Sequence, residues 1–177
     1  MDQTKIYGIM PYVAPEVLRG RSYTQAADIY SFGMIMYLSA TGRQPFSDRA
    51  HNEFLVSDIC NGERPKINEK ELPECYISLM KSCWDSNPDN RPNSTEVLSN
   101  LTQLFQTNIE QFKEAEEYRI RNLSSIENIK LDVHPQAIYT SRLLNSFTEI
   151  LQKPVTEILQ KSESDCLECA ITVTTSD

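Results

Sequence analysis

Residues 26–40, AADIYSFGMIMYLSA, are apolar on nearly every face once wound at helical pitch, and they carry Asp28 near the start. A helix of this kind cannot lie on a surface with one side in water; it belongs in the middle of a domain, surrounded by partners. Ser22 with Gln25 offers a capping box and Gly42 a stop, so the spacing predicts a helix over 22–41. The run is shorter than the ~20 residues needed to cross a bilayer. The opening MDQTKIYGIM has no apolar stretch of signal-peptide length. The expectation is a soluble, cytoplasmic chain with no membrane partner.

The remainder of the chain supplies candidates to surround that helix. Residues 51–61 read as a weaker helix ending at Gly62. In ECYISLMKSCW, residues Tyr76, Leu79, Met80, Cys83 and Trp84 recur at one-faced helical spacing. The turn SNPDNRP follows, and Asn93 or Ser94 caps a further helix with Glu96 in its first turn. Its apolar stripe is Val97, Leu98, Leu101, Leu104 and Phe105. From residue 108 the chain becomes charged, with Glu117 and Arg121 at the i,i+4 spacing that supports exposed helices. Residues 138–152 regain an apolar face through Leu143, Leu144, Phe147, Ile150 and Leu151. TEILQK occurs at 148–153 and again at 156–161, too short a copy for a repeat fold. No segment alternates as a strand would. The reading is mainly α, with a domain over 1–107, a helical tail over 108–162 and a disordered end over 163–177.

Charge and cysteine usage remove other classes. A net charge of −8 argues against nucleic-acid binding, which rests on clustered Lys and Arg. Five cysteines form no regular framework, which fits reduced thiols. Cys166 and Cys169 make a lone C-x-x-C, and His51 and His134 lack the spacing of a zinc site, so no metal ligand set is expected.

Four strings in order then carry a resemblance. VAPE at 13–16 resembles the end of a protein-kinase activation segment. DIYSFG at 28–33 resembles the start of the large central helix of the kinase C-terminal lobe, and RQPF at 43–46 the turn leaving it. CWDSNPDNRP at 83–92 is similar to the closing C-W-x-x-x-P-x-x-R-P of the tyrosine-kinase-like group. The resemblance covers residues 5 to about 106, so the fold it implies is the lower half of a kinase C-lobe plus a helical C-terminal tail.

Roles follow from the resemblance residue by residue. Glu16 should pair with Arg91, whose planar guanidinium can grip a carboxylate bidentately; the alternative is an exposed pair worth little. Asp28 in the family accepts backbone hydrogen bonds from the catalytic loop; the alternative is an ordinary acid favoured at a helix N-terminus. Gly8, Ile9, Met10, Pro11 and Tyr12 correspond to the loop that docks the substrate residue after the phospho-acceptor. Many Ser/Thr kinases place Thr after this Gly, where Ile9 stands here. Tyr12 follows the Ser/Thr or tyrosine-kinase-like pattern rather than the Trp common in true tyrosine kinases.

Phosphoryl transfer needs further parts. The five glycines at 8, 20, 33, 42 and 62 contain no G-x-G, and there is no V-A-I-K-like string, no H-R-D and no D-F-G. The resemblance therefore leaves no catalytic, cofactor-binding or metal-binding residue in this sequence, although ATP and Mg serve a complete family member. Two functions stay open. One is a truncated tyrosine-kinase-like kinase whose parent performs ATP-dependent Ser/Thr phosphorylation in signal transduction, with Tyr as the other acceptor. The other is a non-catalytic, pseudokinase-like interaction module with a protein partner or peptide substrate. In both, Ile29, Phe32, Ile35, Met36 and Leu38 are expected to leave an apolar patch on the central helix, open to self-association or shielded by Leu143, Leu144, Phe147 and Leu151.

Overall fold

A computed structural model describes residues 5–126 and 133–144. Strand β1 (Tyr7–Gly8) leads through a 3-10 turn (Met10–Tyr12) into α1 (Pro15–Leu18). Helices α2 (Gln25–Thr41), α3 (Glu53–Cys60), α4 (Glu74–Cys83), α5 (Ser94–Thr107) and α6 (Ile109–Arg121) follow, with a second 3-10 turn at Pro88–Asn90. A short strand β2 (Arg142–Leu143) pairs antiparallel with β1. The described part of the chain is mainly helical, as expected.

Helix α2 is the hub. It begins three residues later than the expected 22–41, because Thr24, not Ser22, is the extended residue whose hydroxyl accepts the Ala27 N–H at 3.3 Å. An N-cap must reach the third helical N–H, and Ser22 is out of range of it. At the other end Gly42 takes the left-handed conformation (φ 65°) and closes the helix on Leu38 O. Tyr30 and Met34 are fully enclosed, Ile29 and Met36 are buried, and Phe32 and Leu38 are half-buried. Ile35 alone of the five expected patch residues is exposed, at 47%.

Helix α4 covers much of α2 at close range. A methyl group on Gly33 would stand 3.0 Å from Cys83 Cβ and 3.2 Å from Trp84 Cβ, so the missing side chain is what lets the two axes approach. Tyr76 donates its hydroxyl to Met36 O at 3.0 Å, and the Tyr37 and Trp84 rings sit 6.2 Å apart. Ile77, Leu79, Met80, Cys83 and Trp84 are buried and Tyr76 is half-buried, as the one-faced spacing requires.

Helix α3 is shorter than 51–61: Asn52 caps it, and His51 lies outside it with a different task. Helix α5 starts from Asn93 rather than Ser94, through a complete capping box. Asn93 Oδ1 accepts the Thr95 and Glu96 N–H groups at 3.0 Å each, and Glu96 Oε2 accepts the Asn93 N–H at 2.8 Å. Its apolar stripe is only partly used. Val97 and Leu104 are buried and Leu101 half-buried, but Leu98 and Phe105 are 66% and 57% exposed. Phe105 stacks instead on Phe112 of α6, ring centres 5.3 Å apart. The Glu117–Arg121 pair on α6 forms at 2.6 Å on an exposed face.

The tail is helical over α6, and it departs from the helical expectation over 133–144. Residues 133–144 cross the lobe without forming a helix, through a turn that Ala137 N–H closes on His134 O at 2.8 Å, and Arg142 and Leu143 face Gly8 and Tyr7 in the ladder. Backbone pairing with β1 supplies hydrogen bonds that a helix would have made internally. Leu144 is enclosed with Ile6 in the core cluster, whereas Leu143 faces solvent. Phe147, Ile150, Leu151, both TEILQK copies, Cys166, Cys169 and the 163–177 end lie outside the described residues.

Candidate functional site

Gly8–Tyr12, which the resemblance assigns to a docking loop, run from β1 into one tight turn. Ile9 is extended, Pro11 presets the 3-10 turn, and Tyr12 N–H closes it on Ile9 O at 2.9 Å. Met10 and Pro11 are buried beneath it. Tyr12 is fixed at both ends: its carbonyl accepts from Ser31 Oγ of α2 at 2.7 Å, and its hydroxyl donates to Gln44 Oε1 at 2.8 Å. Burial pushes the Tyr12 phenol above its ordinary pKa, so it stays a neutral donor. Gly8 sits where the strand passes Val13, and a methyl group there would meet Val13 Cγ2 at 2.7 Å. The loop therefore needs glycine at that point for space.

Glu16 and Arg91 meet as the resemblance implied. Ala14 is extended and Pro15 opens α1, which places Glu16 in the first turn, facing inward. Arg91 Nη1 donates to Glu16 Oε1 at 2.7 Å and Nη2 to Oε2 at 2.8 Å, a bidentate grip with side-chain exposures of 0% and 6%. Arg91 also donates to Ala26 O and Asp85 O, each at 2.8 Å, so its guanidinium joins α1, α2 and the turn after α4. Burial by itself would raise the Glu16 carboxyl. The Arg91 hydrogen bonds, its own backbone N–H and the Arg91 and Arg19 charges outweigh that and hold it below its ordinary value. Tyr30 lies between two cations, with Arg91 Cζ 5.2 Å and Arg64 Cζ 5.1 Å from its ring centre. Burial pushes the Tyr30 phenol up to about 12.

Asp28 is exposed in the first turn of α2 and accepts no side-chain hydrogen bond among the described residues. That matches the helix-terminal alternative in this chain.

Two arrangements carried no sequence signal. Arg43 and Glu71 form a second buried ion pair at 3.0 Å, braced by Asn68 Nδ2 on Glu71 Oε1 at 2.9 Å. His51, which lacks metal-site spacing, instead holds the tail. Its backbone N–H donates to Gln136 O at 3.0 Å, and its Nδ1 accepts the Ile138 N–H at 3.0 Å. That tautomer leaves the proton on Nε2, 3.1 Å from Phe46 O. Burial lowers the His51 pKa, the Ile138 and Phe46 backbone groups oppose that, and the Arg142 and His134 charges add to the lowering. The neutral ring is the favoured form. Tyr139 packs edge-on against it at 4.8 Å and donates to Pro45 O at 2.9 Å.

Among the described residues no three His, Cys, Asp or Glu side chains could hold a metal ion. Gly8 lies in β1 and Gly33 inside α2, while Gly20, Gly42 and Gly62 each turn the chain at positive φ. No helix among the described residues is long and apolar enough to cross a membrane.

Comparison with known proteins accords with this geometry. The family model described as protein tyrosine and serine/threonine kinase matches residues 2–101. Dual specificity protein kinase shkD of Dictyostelium discoideum is 39% identical over 95 residues, covering 53% of this chain and 13% of that protein. A protein kinase and PP2C-like domain-containing protein of Arabidopsis thaliana is 36% identical over 115 residues, 56% of this chain and 18% of its own length. Dual specificity protein kinase shkE of Dictyostelium discoideum is 33% identical over 105 residues, 59% of this chain and 15% of its own length. The chain thus spans less than a fifth of each of these relatives. With the family model matching more than half of the chain, the chain belongs to the protein tyrosine and serine/threonine kinase family.

Proposed function

We propose that this chain is the substrate-docking part of a tyrosine-kinase-like protein kinase. The whole protein phosphorylates serine or threonine on partner proteins in cytoplasmic signalling, with tyrosine as the other acceptor, using ATP and magnesium held elsewhere in that protein. The observation that carries the reading is the enclosed bidentate Glu16–Arg91 pair, which ties α1 to the lobe just after the turn Gly8–Tyr12, itself held by Ser31 and Gln44. The names of relatives as dual specificity kinases support it. This chain by itself supplies the docking surface and no phosphate transfer, because its sequence lacks G-x-G, V-A-I-K, H-R-D and D-F-G strings.

The test grafts residues 5–106 in place of the corresponding segment of dual specificity protein kinase shkD. The reading expects a kinase that still phosphorylates protein substrates, with loss when Glu16→Ala is added to the graft. A folded graft that binds ATP but transfers nothing favours the second reading. Phosphoamino-acid content of the product decides between Ser/Thr and Tyr. Measurable transfer by the ungrafted chain, free of other kinases, contradicts the assignment of a docking role alone.

The second reading is a non-catalytic interaction module, and the favouring observation is the tail. Residues 133–144 already lie on the loop edge, as a protein partner would. Self-association of such a module would centre on Ile35, the exposed apolar residue of α2.

A further inference from the structure

Residues 134–144 run along the lobe from Ser47 to Ile6, beyond a turn at 134–137, and their contacts divide into two kinds. The first kind is made to the segment's backbone and is open to any sequence. His134 N–H donates to Ser47 O at 2.8 Å, and Gln136 O accepts the His51 N–H at 3.0 Å. Ile138 N–H donates to His51 Nδ1 at 3.0 Å, and Leu144 N–H to Ile6 O at 2.8 Å. The second kind reads side chains. Tyr139 reaches Pro45 O with its hydroxyl and lies edge-on to the His51 ring. Arg142 donates to His51 O at 2.6 Å. Leu144 is wholly enclosed, whereas Leu143 beside it faces solvent.

Main-chain pairing with alternate side chains seated in specific places is how strand addition recognises linear peptides. An unpaired strand edge is a ready template for such pairing. The β1–β2 ladder has two residues on each side, and a pairing so short has little stability of its own. The ladder by itself therefore does not lock its occupant in place.

We propose that the groove between Ile6–Gly8 and Pro45–His51 is a receptor for an extended peptide of pattern Ile-Tyr-x-x-Arg-x-Leu. Residues 138–144 occupy it in cis, and a protein partner presenting the same chemistry displaces them. This deepens the docking reading by naming what the loop edge binds, but it stands on the groove contacts and not on phosphate transfer. A tethered occupant competes at an effective concentration in the millimolar range, so an external peptide binds the wild-type chain far more weakly than a chain whose own segment is disabled.

The test uses the full chain and a fluorescent peptide, VHPQAIYTSRLL, with the sequence of residues 133–144. Anisotropy titrations compare wild type, Tyr139→Ala/Leu144→Ala, and Tyr7→Cys/Leu143→Cys, whose two cysteines face each other across the ladder. The double alanine variant is expected to bind at least tenfold more tightly than wild type, and a scrambled peptide not at all. The oxidised cysteine variant should not bind, and reduction should restore wild-type affinity. A folded alanine variant that ignores the peptide, or binds the scrambled one equally, overturns the proposal. If that variant does not fold, the wild-type chain decides: excess peptide must accelerate hydrogen exchange at the Ile138 and Leu144 amides, and unchanged exchange overturns it. Because binding and not catalysis is read, failure here leaves the kinase graft as a separate question.

Discussion

Cutting either half of the Glu16–Arg91 clasp should cost a large fraction of the fold's stability, and the two cuts should not add. Glu16→Ala leaves a guanidinium with 0% side-chain exposure holding only Ala26 O and Asp85 O. Breaking a buried pair from one side typically costs about 3–5 kcal/mol, because the remaining charge is stranded. Arg91→Ala strands the Glu16 carboxylate and also removes the donor to both carbonyls, each worth about 1 kcal/mol, so it should be the more damaging change. In the double variant neither charge is left alone, and the cycle should return a coupling of about 2–3 kcal/mol. Trp84 is the single tryptophan and is buried, so its fluorescence reports urea unfolding directly. Stability differences are read from midpoints at constant m. Glu16→Gln keeps the volume and isolates the charge. The sign with pH is fixed by the lowered Glu16 pKa: its contribution is present above the unfolded value of about 4.3 and is lost as pH falls through the lower folded value. Wild type should therefore lose stability below that pH more steeply than Glu16→Gln. Additivity of the two alanine changes within about 0.5 kcal/mol would refute the reasoning.

Three further outcomes follow from individual contacts. His51 has a lowered pKa and accepts the Ile138 N–H while facing Arg142, His134 and Tyr139, so tail docking is fully present above about pH 6.5 and lost as pH falls through the lowered folded value. Exchange of the Ile138 amide should quicken over that window, and His51→Gln should flatten the profile. Gly8→Ala should destabilise the loop by about 1–3 kcal/mol through Val13 Cγ2, and Val13→Ala should recover part of it; an unchanged melt contradicts the 2.7 Å approach. Asn93→Ala should cost about 1 kcal/mol by opening the capping box of α5, measured as a shift in the urea midpoint.

What the sequence made legible is what is encoded locally. The stop at Gly42, the cap at Asn93 and the one-faced α4 each follow from a few neighbouring residues, and each forms. The clasp was legible only through resemblance, since nothing in the spacing of Glu16 and Arg91 brings them together. Arg43 and Glu71, 28 residues apart, have no such string to announce them. The β1–β2 pairing was hidden because two residues per strand show no alternation, and an apolar face in 138–144 suits a strand or a helix equally. Leu98 and Phe105 show another limit: a stripe marks a face but not how wide the partner opposite it is. His51 was hidden because one histidine among apolar neighbours looks the same whether it holds a chain segment or only fills space.

The central claim, that α1 is clasped onto the lobe as one unit with it, is tested most directly by native-state hydrogen exchange on the full chain. Val17 and Leu18 N–H both bond to Ala14 O, and Gly42 N–H closes the hub helix on Leu38 O. The account predicts that all three amides exchange with the same opening free energy, shared with the core of α2, and that Glu16→Gln lowers the first two more than the third. Rapid exchange at Val17 and Leu18 while Gly42 stays protected would mean that α1 is not held, and would contradict the account.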